Sequence, residues 1–324
     1  MPCDWIFPDG RRPCYPLRIV YSNIAVVGAG AVGGYYGARL SRGGARVSFL
    51  LRRDLGHVRV HGLSVREPSG DFLINPARAF GDPAEIGPVD LVVIGIKATA
   101  NGELLRLLPP LLHERTVLLL LQNGMGGDAF LAEHFGAARV IGGLCFVCIN
   151  RTGPGEITCT MPGYVTIGEF AGPPTERLRS LAAQLEASGV KTGISADLDE
   201  ARWRKLVWNV PFNGLALAAG GVTTDVIVAD PGLRAEARAL MEEIAAAAAR
   251  FGYAIEPEFL DAQMAVTDGM GPYRPSTLID WQEGREIEIE AIWGEPLRRA
   301  RAAGVAMPRL EDLYARLRKL PRPG

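Results

Sequence analysis

The sequence predicts an α/β protein in which a doubly wound, mostly parallel sheet is followed by an all-α second half. Three observations predict it. A GxGxxG cluster follows an apolar, β-branched run near the N-terminus. Short apolar runs then alternate with helical stretches of about ten residues, which is the pattern of βαβ units. From Asp199 onward only helical periodicity remains.

Residues 1–21 precede the first strand. They contain four prolines and lack the basic start and apolar stretch of a signal peptide. They are read as a disordered extension or the product of a misplaced start codon. The first strand is 23–28, and a helical stretch runs from the glycines to Gly43 and Gly44. A second strand is 46–51. Later strands are 90–96, 117–121, 140–148 and 164–167, with helices at 101–112 and 127–135. Runs 91–96 and 117–121 are apolar almost throughout, as expected of strands covered on both faces. The helical half is read as 200–219, 233–251, 258–270, 288–303 and 309–319, with Gly252 ending the second of these.

A length of 324 residues allows about two domains at roughly 150 residues each. Hydrophobic residues at 48% and charged residues at 22% exclude a disordered chain, a fibre and a coiled coil. The 35 Lys and Arg nearly cancel the 36 Asp and Glu. No bulk basic field exists for nucleic acid or an anionic membrane, and no apolar run reaches the ~18 residues of a span. The five cysteines are Cys3, Cys14, Cys145, Cys148 and Cys159. They form no disulfide framework. Cys145 and Cys148 read CxxC but have no second pair to complete a zinc site. They sit in a strand-like run and are read as buried structural thiols. No metal is expected. A reducing compartment follows, and a cytoplasmic location with it.

Gly28, Ala29, Gly30, Ala31, Val32 and Gly33 form the GxGxxG loop between strand and helix. The first glycine permits the tight turn, the second lets backbone approach a pyrophosphate, and the third lets helix and strand pack closely. The helix N-terminus supplies N–H groups and a positive dipole end. A Rossmann-type, dinucleotide-binding unit is therefore placed at 22–196, and a helical substrate unit at 197–324. An NAD site carries Asp or Glu at the end of the second strand. This chain has Arg52 and Arg53 there, which match a 2′-phosphate and favour NADP. Either arginine could instead be a solvated charge, and Asp54 could serve as the acid after a one-turn slip. Lys97 and Asn123 each follow an apolar strand, where open α/β sheets hold ligands. Both also fit ordinary loops.

In the helical half, Lys205, Asn209 and Asn213 are spaced i, i+4, i+8 among apolar neighbours. If buried, such a stripe needs polar partners, which a bound substrate would supply; otherwise it is a solvated helix face. Pro211 should kink or break this helix. Ser276 is a fair N-cap for a short helix toward Asp280. Glu286, Glu288 and Glu290 are not told apart by pattern alone.

With these motifs in hand, the chain resembles the ketopantoate reductase family from about Asn23 to Leu320. The resemblance rests on IAVVGAGAVGGYYGARL (24–40), Lys97, QNGMG (122–126), WRKLVWNVPFN (203–213), PSTLID (275–280) and EIEAIWGEPLRRARAAGVAMP (288–308). It implies a Rossmann domain and a helical domain with the active site in the cleft between them. It also implies reduction of a 2-oxo acid to a 2-hydroxy acid by NADPH. By resemblance, Lys205 is the general acid. Glu288, six residues before Gly294, contacts the reacting oxygen. Asn209, Asn213 and Ser276 bind substrate, Lys97 and Asn123 lie near nicotinamide and substrate, and Arg52 reads the 2′-phosphate. The expected reaction is 2-dehydropantoate to pantoate, in pantothenate biosynthesis. Two alternatives stand beside it: the same chemistry on another small 2-oxo acid or ketone, and an NADP-binding regulator without turnover. Pro275 departs from the family, standing where a second serine is common. A homodimer through the helical half, with Trp281 and Trp293, is one arrangement left open.

Overall fold

Strand formation starts where the chain first becomes continuously apolar. β1 (Asn23–Val27) leads through the glycine loop into α1 (Ala31–Arg42), β2 (Arg46–Leu50), α2 (Leu55–His61), β3 (Leu63–Arg66), β4 (Phe72–Ile74) and β5 (Arg78–Phe80). β6 (Leu91–Ile94), α3 (Asn101–Leu107), β7 (Val117–Leu120) and α4 (Gly127–Phe135) complete the central layers. A long hairpin of β8 (Val140–Gly153) and β9 (Glu156–Glu169) follows, then α5 (Glu176–Ala187) and β10 (Thr192–Ile194). The computed structural model describes residues 20–321. Cys3, Cys14 and nearly all of the expected extension lie outside the described residues. Tyr21, counted within that extension, is a core residue. Its N–H and carbonyl pair with the Gln184 amide at 3.1 and 3.0 Å.

The sheet order is β4-β3-β9-β8-β7-β6-β1-β2-β5, with β10 beside β9. Only β3–β4 and β8–β9 are antiparallel among its pairs. Successive residues of the central strands face opposite layers. Ile24 and Val26 pack with Tyr35, Phe49 and Leu181 on one face, while Ala25 and Val27 pack with Leu104, Leu118 and Leu131 on the other. Both faces are dry, which explains the unbroken apolar runs. The strand read at 164–167 is the end of the much longer β9. The three- and four-residue strands β3, β4, β5 and β10 are too short to show a period.

The helical half comprises α6 (Leu198–Ala218), α7 (Thr224–Ala229), α8 (Pro231–Arg250), α9 (Pro257–Asp268), α10 (Ser276–Gln282), α11 (Glu295–Ala302) and α12 (Pro308–Arg318). Asp197 caps α6, its Oδ1 accepting from the N–H groups of Asp199 and Glu200 at 2.9 and 3.1 Å. α6 runs through the middle of this half, burying Trp203, Val207, Val210, Phe212 and Leu215 against α8, α12 and Trp293. The break expected at Pro211 does not occur, and the helix continues seven residues beyond it, to Ala218. Proline forfeits one backbone bond, and burial of the apolar residues on either side outweighs that loss.

The helix read at 288–303 is present, opening with a π turn at Glu290–Gly294 that passes without a break into α11. One other expectation is corrected here. Trp293 is buried in the helical core and donates to the Val210 carbonyl at 2.9 Å, so it offers nothing to a second copy. No helix among the described residues is long and apolar enough to cross a membrane.

A Cβ on Gly33 would lie 2.3 Å from the Gly28 carbonyl oxygen. Gly33→Ala should therefore cost about 1–3 kcal/mol of stability, read as a lower midpoint in denaturant unfolding.

Candidate active site

The glycine loop is shaped as its spacing implies. Gly28 has φ +88°, and a Cβ there would come within 2.4 Å of the Ile96 side chain. Over Gly30, by contrast, nothing lies within 4 Å of a Cβ position. α1 begins with no side-chain cap, so its first N–H groups are not claimed by a side chain. Ala29, Ala31 and Val32 are half-buried around this opening. Uncapped N–H groups, a positive dipole end and open space above the second glycine fit a pyrophosphate.

At the end of β2 the arginines and the aspartate are treated differently. Arg52 and Arg53 are exposed and have no ion-pair partner among the described residues. Asp54 is buried. Arg151 on β8 donates to both of its carboxylate oxygens, Nε to Oδ2 at 2.7 Å and Nη2 to Oδ1 at 2.5 Å. The Gly155 N–H adds a bond at 3.2 Å. The Arg151 guanidinium holds the Asp54 carboxyl below its usual range. The carboxylate that sequence alone offered for a ribose hydroxyl is thus already engaged.

The second cluster forms where the strand-bearing half meets α6. Lys205 Nζ donates to Asn123 Oδ1 and to the Cys145 carbonyl, both at 2.9 Å. That carbonyl is free for a topological reason. Val165, opposite Cys145 in the hairpin, gives its N–H to Lys191 on the far side. Cys145 therefore also turns its backbone groups away from β9. β7 stops pairing with β8 at Gly142, so the carbonyl faces an open edge. The Phe146 ring centroid is 5.1 Å from Nζ, and Phe146 stacks on Tyr164. Burial pulls the Lys205 ammonium down to about 8; Arg202 adds to this and Glu288 opposes it.

Glu288 reaches back across the seam, its Oε1 accepting from the Ala98 N–H at 2.8 Å. Burial pushes its carboxyl up, against the pull of that bond and of Lys97. Lys97 is itself ion-paired with Asp280 and donates to the Glu286 carbonyl at 3.2 Å. Asn209 and Asn213 stay on one stripe with Lys205, since the helix is unbroken. The Asn209 amide has no side-chain partner among the described residues. Asn213 Oδ1 accepts from Thr277 Oγ1 at 2.7 Å and from its N–H at 3.3 Å, and its Nδ2 donates to the Asn209 carbonyl. Ser276 is exposed on the first turn of α10. It is not the N-cap, because buried Pro275 holds that position without a cap bond.

The structure thus joins Lys205, Asn123, Glu288 and Lys97 around one seam. Asn209, Asn213 and Ser276 extend from it, while the glycine loop and Arg52 form a separate cluster. Sequence reading missed the parts that hold the seam. Arg202 is buried in an ion pair with Asp128 on α4. It also donates to the carbonyls of Gln122 and Gly124, at 3.3 and 3.1 Å, on either side of Asn123. Met125 enters the helical core, and its N–H bonds the Ala291 carbonyl at 2.9 Å. Asp280 could have been noticed in PSTLID; the Cys145 carbonyl carries no sequence signal at all. Cys145 and Cys148 lie on β8 as expected, but half-buried rather than fully buried; Cys159 is buried.

Fold and site together define a dinucleotide-dependent oxidoreductase with a Rossmann-type half and a helical half. Residues 24–172 match the family model described as ketopantoate reductase PanE/ApbA, and residues 197–320 match its C-terminal counterpart. A 2-dehydropantoate 2-reductase of Nostoc sp. is 38% identical over 91% of this chain and 94% of its own. The crystal structure of a 2-dehydropantoate 2-reductase from Geobacter metallireducens GS-15 superposes with a TM-score of 0.89 at 44% identity, over 92% of this chain and 99% of that one. That of the 2-dehydropantoate 2-reductase from Methylococcus capsulatus superposes with a TM-score of 0.85 at 34% identity, over 91% and 96%. The chain belongs to the ketopantoate reductase family.

Proposed function

We propose that this chain reduces 2-dehydropantoate to pantoate with NADPH, in the cytoplasm, with Lys205 as general acid. We assign cofactor binding to 22–196 and substrate chemistry to 197–324. The partner is a small 2-oxo acid rather than nucleic acid or membrane. The observation that carries the reading is the setting of Lys205. An ammonium has three N–H donors, and two are taken by Asn123 and the Cys145 carbonyl. The third is left for a substrate oxygen.

When bound, the nicotinamide supplies a hydride to the ketone carbon. Lys205 stabilises the negative charge that builds on the ketone oxygen and delivers a proton to it from Nζ. Asn123 and the Cys145 carbonyl hold Nζ in one position through this transfer. Glu288 spends one oxygen on Ala98, and we assign the other to the hydroxyl being formed. Asn209, with its amide uncommitted, and Ser276, with its exposed hydroxyl, are assigned to the substrate. Asn213 keeps one N–H for the same purpose. The glycine loop residues Gly28, Ala29, Gly30, Ala31, Val32 and Gly33 would hold the pyrophosphate. Lys97 and Asn123 would flank the nicotinamide end, and Arg52 would take the 2′-phosphate. The engagement of Asp54 supports NADP over NAD. Pro275, buried ahead of Ser276, supports a second reading in which another small 2-oxo acid or ketone is reduced by the same groups. A regulator without turnover would need neither a lysine depressed toward neutrality nor Glu288.

The direct test is oxidation of NADPH by the purified protein with 2-dehydropantoate, beside pyruvate and 2-oxoisovalerate. Saturable turnover with 2-dehydropantoate is expected; turnover with another 2-oxo acid alone would shift the substrate and keep the mechanism. Lys205→Ala should lower turnover by about 100-fold or more with little change in NADPH affinity. An unchanged rate would remove Lys205 from the chemistry. Because the acid must carry its proton, the wild-type turnover number should fall as pH rises through about 8, and a flat profile there would count against the assignment. Arg52→Ala should weaken NADPH about tenfold or more and leave NADH nearly unaffected, measured as cofactor dissociation constants. Equal weakening of both would show that Arg52 does not read the phosphate.

A further inference from the structure

Asp54 presents a problem for a site that takes a 2′-phosphate. It lies two residues beyond Arg52 at the same strand end. With Arg151, Leu51 and Ala29 of the glycine loop it lines one depression. A free carboxylate in that place would accept a bond from a ribose 2′-hydroxyl and repel a 2′-phosphate. It would therefore favour the wrong dinucleotide.

The hairpin supplies the answer. Arg151 sits near the far end of β8, almost a hundred residues from Asp54 in sequence, and grips the carboxylate with a two-point fork. The Gly155 N–H, from the hairpin turn, takes Oδ2 as well. Both oxygens are engaged, the negative charge is matched, and the Asp54 side chain is one-tenth exposed. Arg52 and Arg53 stay exposed beside it, with no ion-pair partner among the described residues.

We propose that Arg151 is a specificity-determining residue: by sequestering Asp54 it removes an NAD-type acceptor from the ribose site and leaves Arg52 to define preference for the phosphorylated dinucleotide. Arg151 acts through Asp54 and has no chemical step of its own. The proposal rests on the NADP reading above. It also explains why a chain can carry both an arginine and an aspartate at the end of β2 without ambiguity.

The test is calorimetric titration of the full-length protein with NADP⁺ and with NAD⁺, in the wild type, in Arg151→Met and in Arg151→Met combined with Asp54→Asn. In Arg151→Met the freed carboxylate should raise the NADP⁺ dissociation constant about tenfold while NAD⁺ binds as well as before or better. In the double variant the carboxylate is gone, and NADP⁺ affinity should return to within about threefold of wild type. Loss of affinity for both dinucleotides by the same factor would mean that Arg151 only supports the hairpin. A double variant as weak as the single would mean that Arg151 touches the phosphate itself. No change in the single variant would mean that Asp54 is irrelevant to the choice. Any of these three overturns the proposal. A wild type that binds the two dinucleotides equally would instead overturn the NADP reading, before any variant is made. Should Arg151→Met fail to fold with an unpaired buried carboxylate, Arg151→Gln keeps one donor for Asp54 and should show the same split between the dinucleotides.

Discussion

The site depends on one fastening, the grip of Arg202 on the loop between β7 and α4. Its guanidinium pairs with Asp128 and takes the carbonyls of Gln122 and Gly124. Two buried charges in this position need each other, since either alone would carry the full cost of desolvation. The pair therefore cannot open cheaply, and the loop cannot leave the helix. Asn123 lies between the two captured carbonyls, so its side chain is delivered to Lys205 by backbone that has no freedom to drift. Met125, sunk into the helical core, secures the same loop by packing. Orientation of the lysine we propose as general acid is thus inherited from an ion pair that need not touch the substrate.

The same arrangement sets the electrostatics. Arg202 and Lys205 lie three residues apart on α6, and the first discourages the second from keeping its proton. Glu288, returning from the segment ahead of α11, pulls the other way. Burial is the larger influence and leaves the ammonium near the top of the neutral range. A proton donor is most effective when its pKa lies close to working pH. An isolated surface lysine would hold its proton too tightly, and a lysine without Glu288 would lose it more readily.

Much of this was legible in the sequence because it is local. The glycine loop, the alternation of apolar strands with helices, and the stripe of Lys205, Asn209 and Asn213 are all set within short windows. What escaped reading is of two kinds. Contacts between distant segments, such as Arg151 with Asp54 or Arg202 with Asp128, leave no periodicity and look like surface charge. The Cys145 carbonyl depends on where β7 stops pairing, a property of the sheet and not of any residue type. The break that Pro211 suggested is absent because helix propensity is weaker than burial along a central helix. The position of Ser276 was read one residue early because a proline can open a helix without a side-chain cap. α5 is the avoidable omission: Thr175 caps it by accepting from the Leu178 N–H, and a Thr followed by Glu and an amphipathic run is a readable start.

Gly124 sits at the centre of the fastening with φ +78°, and a Cβ on it would lie 2.3 Å from the Ala291 carbonyl oxygen. The two halves meet there backbone to backbone. They are consequently not interchangeable cassettes. A chimera that joined the sheet of this chain to the helices of a relative would have to import both sides of that contact, residues 122–128 together with the 288–294 segment and the start of α6. Recombination breakpoints placed at the chain connection near residue 196 would look natural on a linear map. They would nevertheless separate surfaces that have to be inherited together, so shuffling within this family should succeed along the seam's outline and fail at the linker.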